Sequence, residues 1–419
     1  MGLFLVVEDS SIVQKILRHT FKQARIDSVL FASSMAEGRA LYKKHADQLV
    51  AAIVDLSLPD APHGEMVECL LAESLPVVVL TGSADADQRK KLLAMGVADY
   101  VIKENRFSYQ YAVRMLLRLE RNQYLTALVV DDSDTSRRVV SHYLHLHCFK
   151  VKEVSSAEDG LKALQEDEAI SLVISDYHMP GMNGFDFVQE IRHRYDKRSI
   201  AVIGLSGQGD PDISVQFIKK GANDFLQKPF LQEEFFCRVT NNIESLEQLL
   251  ELKTLATKDY LTGLSNRRYF YEEGDASVAR STKALMPYTL AVLDIDRFKP
   301  LNDEFGHDAG DAVLRQFSEH LGLAFSRFIV ARVGGEEFAV LMAGLEAERA
   351  YELLDEFRRF VEAQMYILPD DDYQRITVSI GVRAGVDQSI HASITDADKA
   401  LYLAKENGRN MVVMYEDEA

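Results

Sequence analysis

The chain has 419 residues, 47% hydrophobic and 27% charged, a globular composition long enough for about three cores. Its 65 acidic against 47 basic residues leave a formal net charge of −18, which argues against a nucleic-acid-binding surface. A polyphosphate ligand is still permitted, because a divalent cation held by carboxylates can supply positive charge locally.

The N-terminus, MGLFLVVEDSS, lacks a basic leader and reaches Glu8 too early for a signal peptide. No apolar run approaches the roughly 18 residues of a membrane span. Cys69, Cys148 and Cys237 are odd in number and without metal spacing, so reduced, buried thiols are expected. These features predict a cytoplasmic protein with neither a membrane nor a nucleic-acid partner.

Along the chain one module is written twice. LFLVVEDSS (3–11) is echoed by TALVVDDSD (126–134), and AAIVDLSLPD (51–60) by LVISDYHMPG (172–181). VVVLTGSAD matches AVIGLSGQGD, and GVADYVIKEN matches GANDFLQKPF. Each piece is a short apolar run ending in a polar residue. Amphipathic stretches such as SIVQKILRHTFKQ lie between them. Strands alternating with helices at this rhythm predict a parallel sheet covered on both faces, with its site at the carboxyl ends of the strands.

The polar residues there are Glu8, Asp9, Asp55, Thr81 and Lys103 in the first copy. In the second they are Asp131, Asp132, Asp176, Ser206 and Lys228. Three carboxylates at one edge repel unless a hard divalent cation takes oxygen ligands from them. A lysine can hold a phosphoryl oxygen, a hydroxyl another, and one carboxylate can serve as nucleophile for an acyl phosphate. Helix capping alone would explain a single strand-end aspartate. It does not explain five matched positions occurring twice.

These residues resemble the receiver domains of two-component response regulators. The resemblance implies that Asp55 and Asp176 are phosphoacceptors, and that Glu8 with Asp9, and Asp131 with Asp132, hold Mg²⁺. Thr81 and Ser206 would be switch hydroxyls, Lys103 and Lys228 phosphate lysines, and Tyr100 and Phe225 the aromatic switch position. A sensor histidine kinase is the implied partner. The first copy departs from the pattern, with Glu-Asp at its start, DLSLPDAPHG after the acceptor and Glu104 where the second copy has Pro229. An adaptor or dimer-packing role for it stays open.

From Gln232 to Tyr260 there is neither Gly nor Pro, which predicts a continuous helix. Phe236, Val239, Ile243, Leu246 and Leu250 step by alternate threes and fours. The stripe is either a dimerising coiled coil or the buried face of a last helix.

Beyond it, YTLAVL (288–293) reads as a strand ending in Asp294 and Asp296, and a helix is expected to begin near Asp311. RVGGEEFAVLM (332–342) reads as a hairpin, entering at 331–333 and leaving at 338–342, whose glycines make room near the backbone. Side by side, these strands would bring Asp294 to Glu336 and Glu337, a cluster able to hold one or two Mg²⁺ ions.

DYLTGLSNRR, DIDRFKPLND, GHDAGD, RVGGEEF, TVSIGV and ADKALYLAKENGRN occur in the order of the GGDEF family, the diguanylate cyclases, which residues 259–414 resemble. The resemblance implies condensation of two GTP into cyclic di-GMP and two pyrophosphates. Asp294, the Ile295 carbonyl, Glu336 and Glu337 would hold Mg²⁺, with Glu336 also receiving the ribose 3′-hydroxyl proton. Lys299 would neutralise phosphate charge, Asn302 and Asp311 read guanine, His307 flank the nucleotide, and Lys405 and Arg409 reach the triphosphate. The family's Arg-x-x-Asp inhibitory pair would fall on Phe325 and Phe328, so product inhibition there is expected to be weak or absent.

The combined expectation is two flavodoxin-like (βα)5 receivers, 1–122 and 123–245, a connecting helix 246–258 and an α+β palm-like cyclase domain 259–419. A homodimer would bring two GTP sites together. A catalytically silent GTP-binding scaffold and a phosphorelay hub are the alternative functions.

Overall fold

Runs such as LFLVV and VVVLT are aliphatic at nearly every position, and such strands need cover on both faces. The computed structural model describes residues 2–82, 86–207, 212–284, 286–369, 372–385 and 389–416. In it these runs form two five-stranded parallel sheets of one topology. The first takes β1 (Leu3–Val7), β2 (Val29–Ala32), β3 (Leu49–Asp55), β4 (Val77–Thr81) and β5 (Asp99–Ile102), in spatial order β2-β1-β3-β4-β5. Its helices are α1 (Ser11–Gln23), α2 (Met35–His45), α3 (Glu65–Ala72), α4 (Ala86–Met95) and α5 (Arg106–Asn122).

The second sheet repeats the plan with β6 (Thr126–Val130), β7 (Lys150–Val154), β8 (Ile170–Asp176), β9 (Ala201–Ser206) and β10 (Asp224–Gln227). Its helices are α6 (Asp134–Leu146), α7 (Ala157–Glu166), α8 (Gly184–Arg194), α9 (Asp212–Lys220) and α10 (Gln232–Thr257). Serine caps fix several helix starts, among them Ser10 for α1 and Ser133 for α6. Residues 83–85 and 208–211, inside two of the repeated motifs, lie outside the described residues.

Both copies belong to one compact unit, Met1–Leu250, and they are joined through α10. Arg118 on α5, 3% exposed, makes two 2.8 Å bonds to Glu247, Arg114 pairs with Glu244, and Arg89 on α4 lies 2.7 Å from Glu233. His147 is fully buried, stacked 3.4 Å from the Phe236 ring, with Nε2 2.9 Å from the Ala98 carbonyl oxygen.

One expectation changes here. Phe236, Val239 and Ile243 lie in the apolar cluster between α10, α6 and the second sheet, and Leu246 is buried as well, so they are not a free coiled-coil seam. Their periodicity records core packing. Only the distal leucines, Leu249, Leu250, Leu252 and Leu255, are exposed. The three cysteines are free, but none is fully buried as expected: Cys69 and Cys148 are half-buried and Cys237 is exposed.

The second unit, Glu251–Ala419, has a mixed six-stranded sheet of order β11-β13-β14-β12-β17-β18. Its strands are β11 (Ser265–Asn266), β12 (Tyr288–Ile295), β13 (Ile329–Arg332), β14 (Glu337–Ala343), β17 (Val378–Gly385) and β18 (Val412–Met414). A small hairpin, β15 (Tyr366–Ile367) with β16 (Tyr373–Gln374), stands apart from it. The helices are α11 (Arg267–Lys283), α12 (Phe298–Phe305), α13 (His307–Ala324), α14 (Ala347–Ala363) and α15 (Ile390–Glu406).

The helix expected near Asp311 begins earlier, at His307, and a separate α12 precedes it. Pro300 sits in the first turn of α12, where its missing N–H costs nothing. Gly306 at φ 84° then separates the two helices. Among the described residues no helix is long and apolar enough to cross a membrane.

Candidate functional site

Each receiver-like sheet carries an acidic trio at its carboxyl edge. The ligand atoms of Glu8, Asp9 and Asp55 lie within 4.8 Å of one another, as do those of Asp131, Asp132 and Asp176. The chain places these residues there because β1 and β6 end one residue before each acidic pair, while Asp55 and Asp176 close β3 and β8. Lys103 Nζ lies 2.7 Å from both Glu8 and Asp55, and Lys228 Nζ 2.7 Å from both Asp131 and Asp176. Thr81 and Ser206 are buried at the ends of β4 and β9.

Burial raises a different carboxylate in each trio. Burial pushes Glu8 above the usual carboxylate range, against the pull of Lys103, and Asp55 adds to the rise. Asp176 is raised by burial against the pull of Lys228, with Asp131 adding to the rise. Burial would lower both lysines, but their carboxylate partners raise them instead. Each lysine stands in for part of the charge that a hard cation would neutralise. Asp9 and Asp132, the exposed members, leave each trio open on its solvent side. Of the two aromatic positions, Tyr100 donates from its hydroxyl to Glu233 at 3.3 Å, while Phe225 packs 5.6 Å from Phe217.

In the second unit Asp294 stands across the ladder from Glu337, and the Ile295 amide donates to the Glu336 carbonyl at 3.3 Å. Burial pushes Asp294 up to about 6; Lys405 opposes the rise, and Glu336 and Glu337 add to it. Lys405 Nζ rests 2.7 Å from Asp294. Asp294, Glu336 and Glu337 do not close into a group as tight as the receiver trios. Three carboxylates around one partly buried position, with a single lysine opposing them, form a donor set suited to a hard divalent cation.

Beside them is a cleft of about 370 Å³ lined by Phe298, Lys299, Asn302, His307, Asp311, Leu314, Arg332, Gly335 and Glu336. Helices α12 and α13 and the β13–β14 turn therefore bring five of the expected substrate and catalytic residues to one cavity. The buried Oδ1 of Asn302 has no partner, so a donor from a ligand would satisfy it. A Cβ at Gly310 would fall 1.9 Å from that oxygen, so glycine is what lets Asn302 lie against α13. A Cβ at Gly335 would meet nothing within 4 Å, which leaves the turn open on the cleft side. Arg409 is placed elsewhere, in a cleft with Arg297 and Arg375.

Two contributors were not singled out from the sequence. Arg332 donates to the Gly335 carbonyl at 2.7 and 3.0 Å and to Asp259 at 3.1 Å, clamping the glycine turn to the second residue after α10. Asp296 is 8% exposed and turned away into a bonded network. Their positions inside RVGGEEF and DIDRFKPLND were the available signal, but the partners are distant in the chain.

Comparison with known proteins gives the family of each part of the chain. The response regulator receiver domain model matches residues 4–109 and 127–240, and the diguanylate cyclase GGDEF domain model matches 256–411. Response regulator PleD of Caulobacter vibrioides is 31% identical over 300 residues, covering 68% of this chain; the chain spans 65% of that relative's length. A diguanylate cyclase of Vibrio cholerae is 35% identical over 181 residues, 42% of this chain and 54% of the relative. A crystal structure of a two-component system response regulator/GGDEF domain protein is 41% identical, covers 59% of this chain and all of its own, and gives a TM-score of 0.56.

Proposed function

The chain belongs to the response regulator receiver family and carries a GGDEF domain, and from that premise we propose that it is a receiver-controlled diguanylate cyclase. It joins two GTP molecules into cyclic di-GMP and releases two pyrophosphates. The observation that carries the reading is the single cleft that gathers Lys299, Asn302, His307, Asp311 and Glu336 beside Asp294.

Asn302 and Asp311 hold the guanine edge: a carboxylate accepts from both N1–H and the exocyclic amine, a pair adenine cannot offer. His307 flanks the nucleotide, and Lys405 and Arg409 hold the triphosphate. Glu336 takes the proton of the ribose 3′-hydroxyl as that oxygen attacks the α-phosphorus of the second GTP. The bond from the α-phosphorus to its bridging oxygen breaks, and pyrophosphate leaves. Repetition in the opposite sense closes the ring. Lys299 faces charge that grows on the phosphates in the transition state. Asp294, Glu336, Glu337 and the Ile295 carbonyl would hold Mg²⁺, whose contribution is to screen the triphosphate and polarise the reacting oxygens.

Each cleft takes one GTP, so two copies must face each other, and a homodimer is the working form. The exposed leucines at 249, 250, 252 and 255 support contact through the distal part of α10. The division into receivers 1–122 and 123–245, a connector 246–258 and a cyclase domain from 259 belongs to this reading. Asp55 and Asp176 accept phosphoryl groups from a sensor histidine kinase, with Mg²⁺ at the acidic pairs. Phe325 is buried and Phe328 packs against the domain core, which supports the absence of the arginine-aspartate product site.

The test is turnover of GTP by the full chain with Mg²⁺, against Glu336→Gln. Cyclic di-GMP from the parent and a loss on the order of a hundredfold or more in the variant are expected. GTP bound but never converted by the parent would leave the scaffold reading.

A further inference from the structure

Asp294 and Asp296 look equivalent in the sequence, two carboxylates at one strand end. The structure separates them. Strand β12 stops at Ile295, and Asp296 turns inward to 8% exposure. Its Oδ1 accepts from Ser379 Oγ at 2.6 Å; its Oδ2 accepts from Thr377 Oγ1 at 2.7 Å and from the Asn410 backbone N–H at 3.1 Å. Its own N–H donates to the Thr377 carbonyl at 2.9 Å. With its oxygens spent on hydroxyl and amide donors, Asp296 is tied to protein rather than turned toward the cation position.

The third of those donors is the unusual one. Gly408, Arg409 and Asn410 are consecutive residues with φ of 118°, 68° and 48°. For the two side-chain-bearing residues the left-handed region is strained, so surrounding contacts must impose it. The contacts are few. The Arg409 N–H donates to the Ala404 carbonyl at 2.9 Å and closes α15. Arg358 donates to the Asn410 side chain at 3.0 Å. The Asp296 carboxylate holds the Asn410 amide from the other side. Arg409, on the crest of this turn, lines a cleft of about 580 Å³ together with Arg297 and Arg375.

We infer that Asp296 is a positioning residue for triphosphate recognition: by fixing the left-handed turn 408–410, it holds Arg409 in its own cleft, which shares helix α12 with the cleft of Lys299 and Asn302, to take the outer phosphates. The inference rests on the GTP reading given above. Asparagine at 296 would keep the shape but present a donor or a neutral oxygen to the Asn410 amide, so the turn would relax and Arg409 would lose its place.

The experiment uses the full chain, Mg²⁺ and 3′-deoxy-GTP, which binds but lacks the attacking hydroxyl, with GMP as the ligand that has no β- and γ-phosphates. Asp296→Asn should weaken 3′-deoxy-GTP about tenfold and leave GMP within about twofold. The double variant with Arg409→Ala should be no weaker than Arg409→Ala alone, because both changes remove the same contact. Thr377→Val, a milder loosening of the same carboxylate, should shift 3′-deoxy-GTP in the same direction if Asp296→Asn does not fold.

Equal loss for both nucleotides would overturn the inference, since it means a general structural role. So would losses that multiply in the double variant, or a raised Mg²⁺ requirement, which would make Asp296 a metal ligand. A parent chain that binds neither nucleotide refutes the GTP reading itself. A parent that binds both while Asp296→Asn changes nothing refutes only this inference.

Discussion

His147 supplies a sharp test of how the two receiver modules are joined. Its ring is fully buried against Phe236, and burial pulls it down to about 4 from the ordinary 6.5, against the small lift from the Ala98 carbonyl. The ring is therefore neutral when folded and takes a proton when unfolded. Between those two values the unfolded chain binds more protons, so stability is full above about 6.5 and is lost as pH falls toward 4. From about pH 7.5 to about pH 5 the linkage relation gives a loss of about 2 kcal/mol from this residue alone. His147→Gln keeps a donor for Ala98 and has no proton to take up.

Native-state hydrogen exchange of the β6 amides in the full chain reads the opening free energy without isolating a fragment. Comparing the parent with the variant at both pH values cancels the opposing contribution of raised carboxylates such as Glu8 and Asp176. The gap between them should change by about 2 kcal/mol on acidification. Parallel curves would refute the reasoning.

Four further outcomes follow from the same geometry. Gly310→Ala should raise the KM for GTP about tenfold with a smaller change in kcat, because the new methyl meets Asn302 Oδ1; unchanged kinetics would mean that Asn302 does not read the base. Chelation of Mg²⁺, or Asp294→Asn, should abolish cyclic di-GMP formation, and activity that persists in either case would remove the carboxylate-metal assignment. Adding cyclic di-GMP at substrate-like concentrations should not slow turnover beyond simple competition, with initial rates as the check. Glu247→Ala leaves Arg118 buried and unpaired; Glu247 itself is one-third exposed, so the loss should fall below the roughly 3–5 kcal/mol of a fully buried pair, at about 2 kcal/mol, in the same exchange measurement.

The repeated strand-helix rhythm was plain in the chain because its strands are aliphatic at both parities, and their polar ends mark the sheet edge. LFLVVED and TALVVDD announce the first strand of each sheet and two members of its acidic trio within seven residues. The cyclase cleft was legible as far as local motifs reach, as with Gly335 and Glu336 or Asn302 and Asp311. The α10 stripe was ambiguous for a physical reason: a helix buried on one face of a domain and a coiled-coil helix share a spacing of threes and fours, and only the partner differs. Arg332 with Asp259, and Asp296 with Asn410, could not be paired from the sequence, since 73 and 114 residues separate them. The start of α13 was misplaced because its N-cap is Gly306, which has no cap side chain; a glycine at φ 84° makes the break.

In the proposed function, receiver phosphorylation governs a GTP-condensing site. This control is tested most directly by incubating the full chain with GTP and Mg²⁺, with and without beryllofluoride as a phosphoryl mimic, and resolving the nucleotides by chromatography. Cyclic di-GMP should rise with beryllofluoride, with Asp55→Asn and Asp176→Asn identifying the module responsible. Cyclic di-GMP formed at the same rate with and without the mimic would contradict receiver control, and no product under either condition would contradict the cyclase itself.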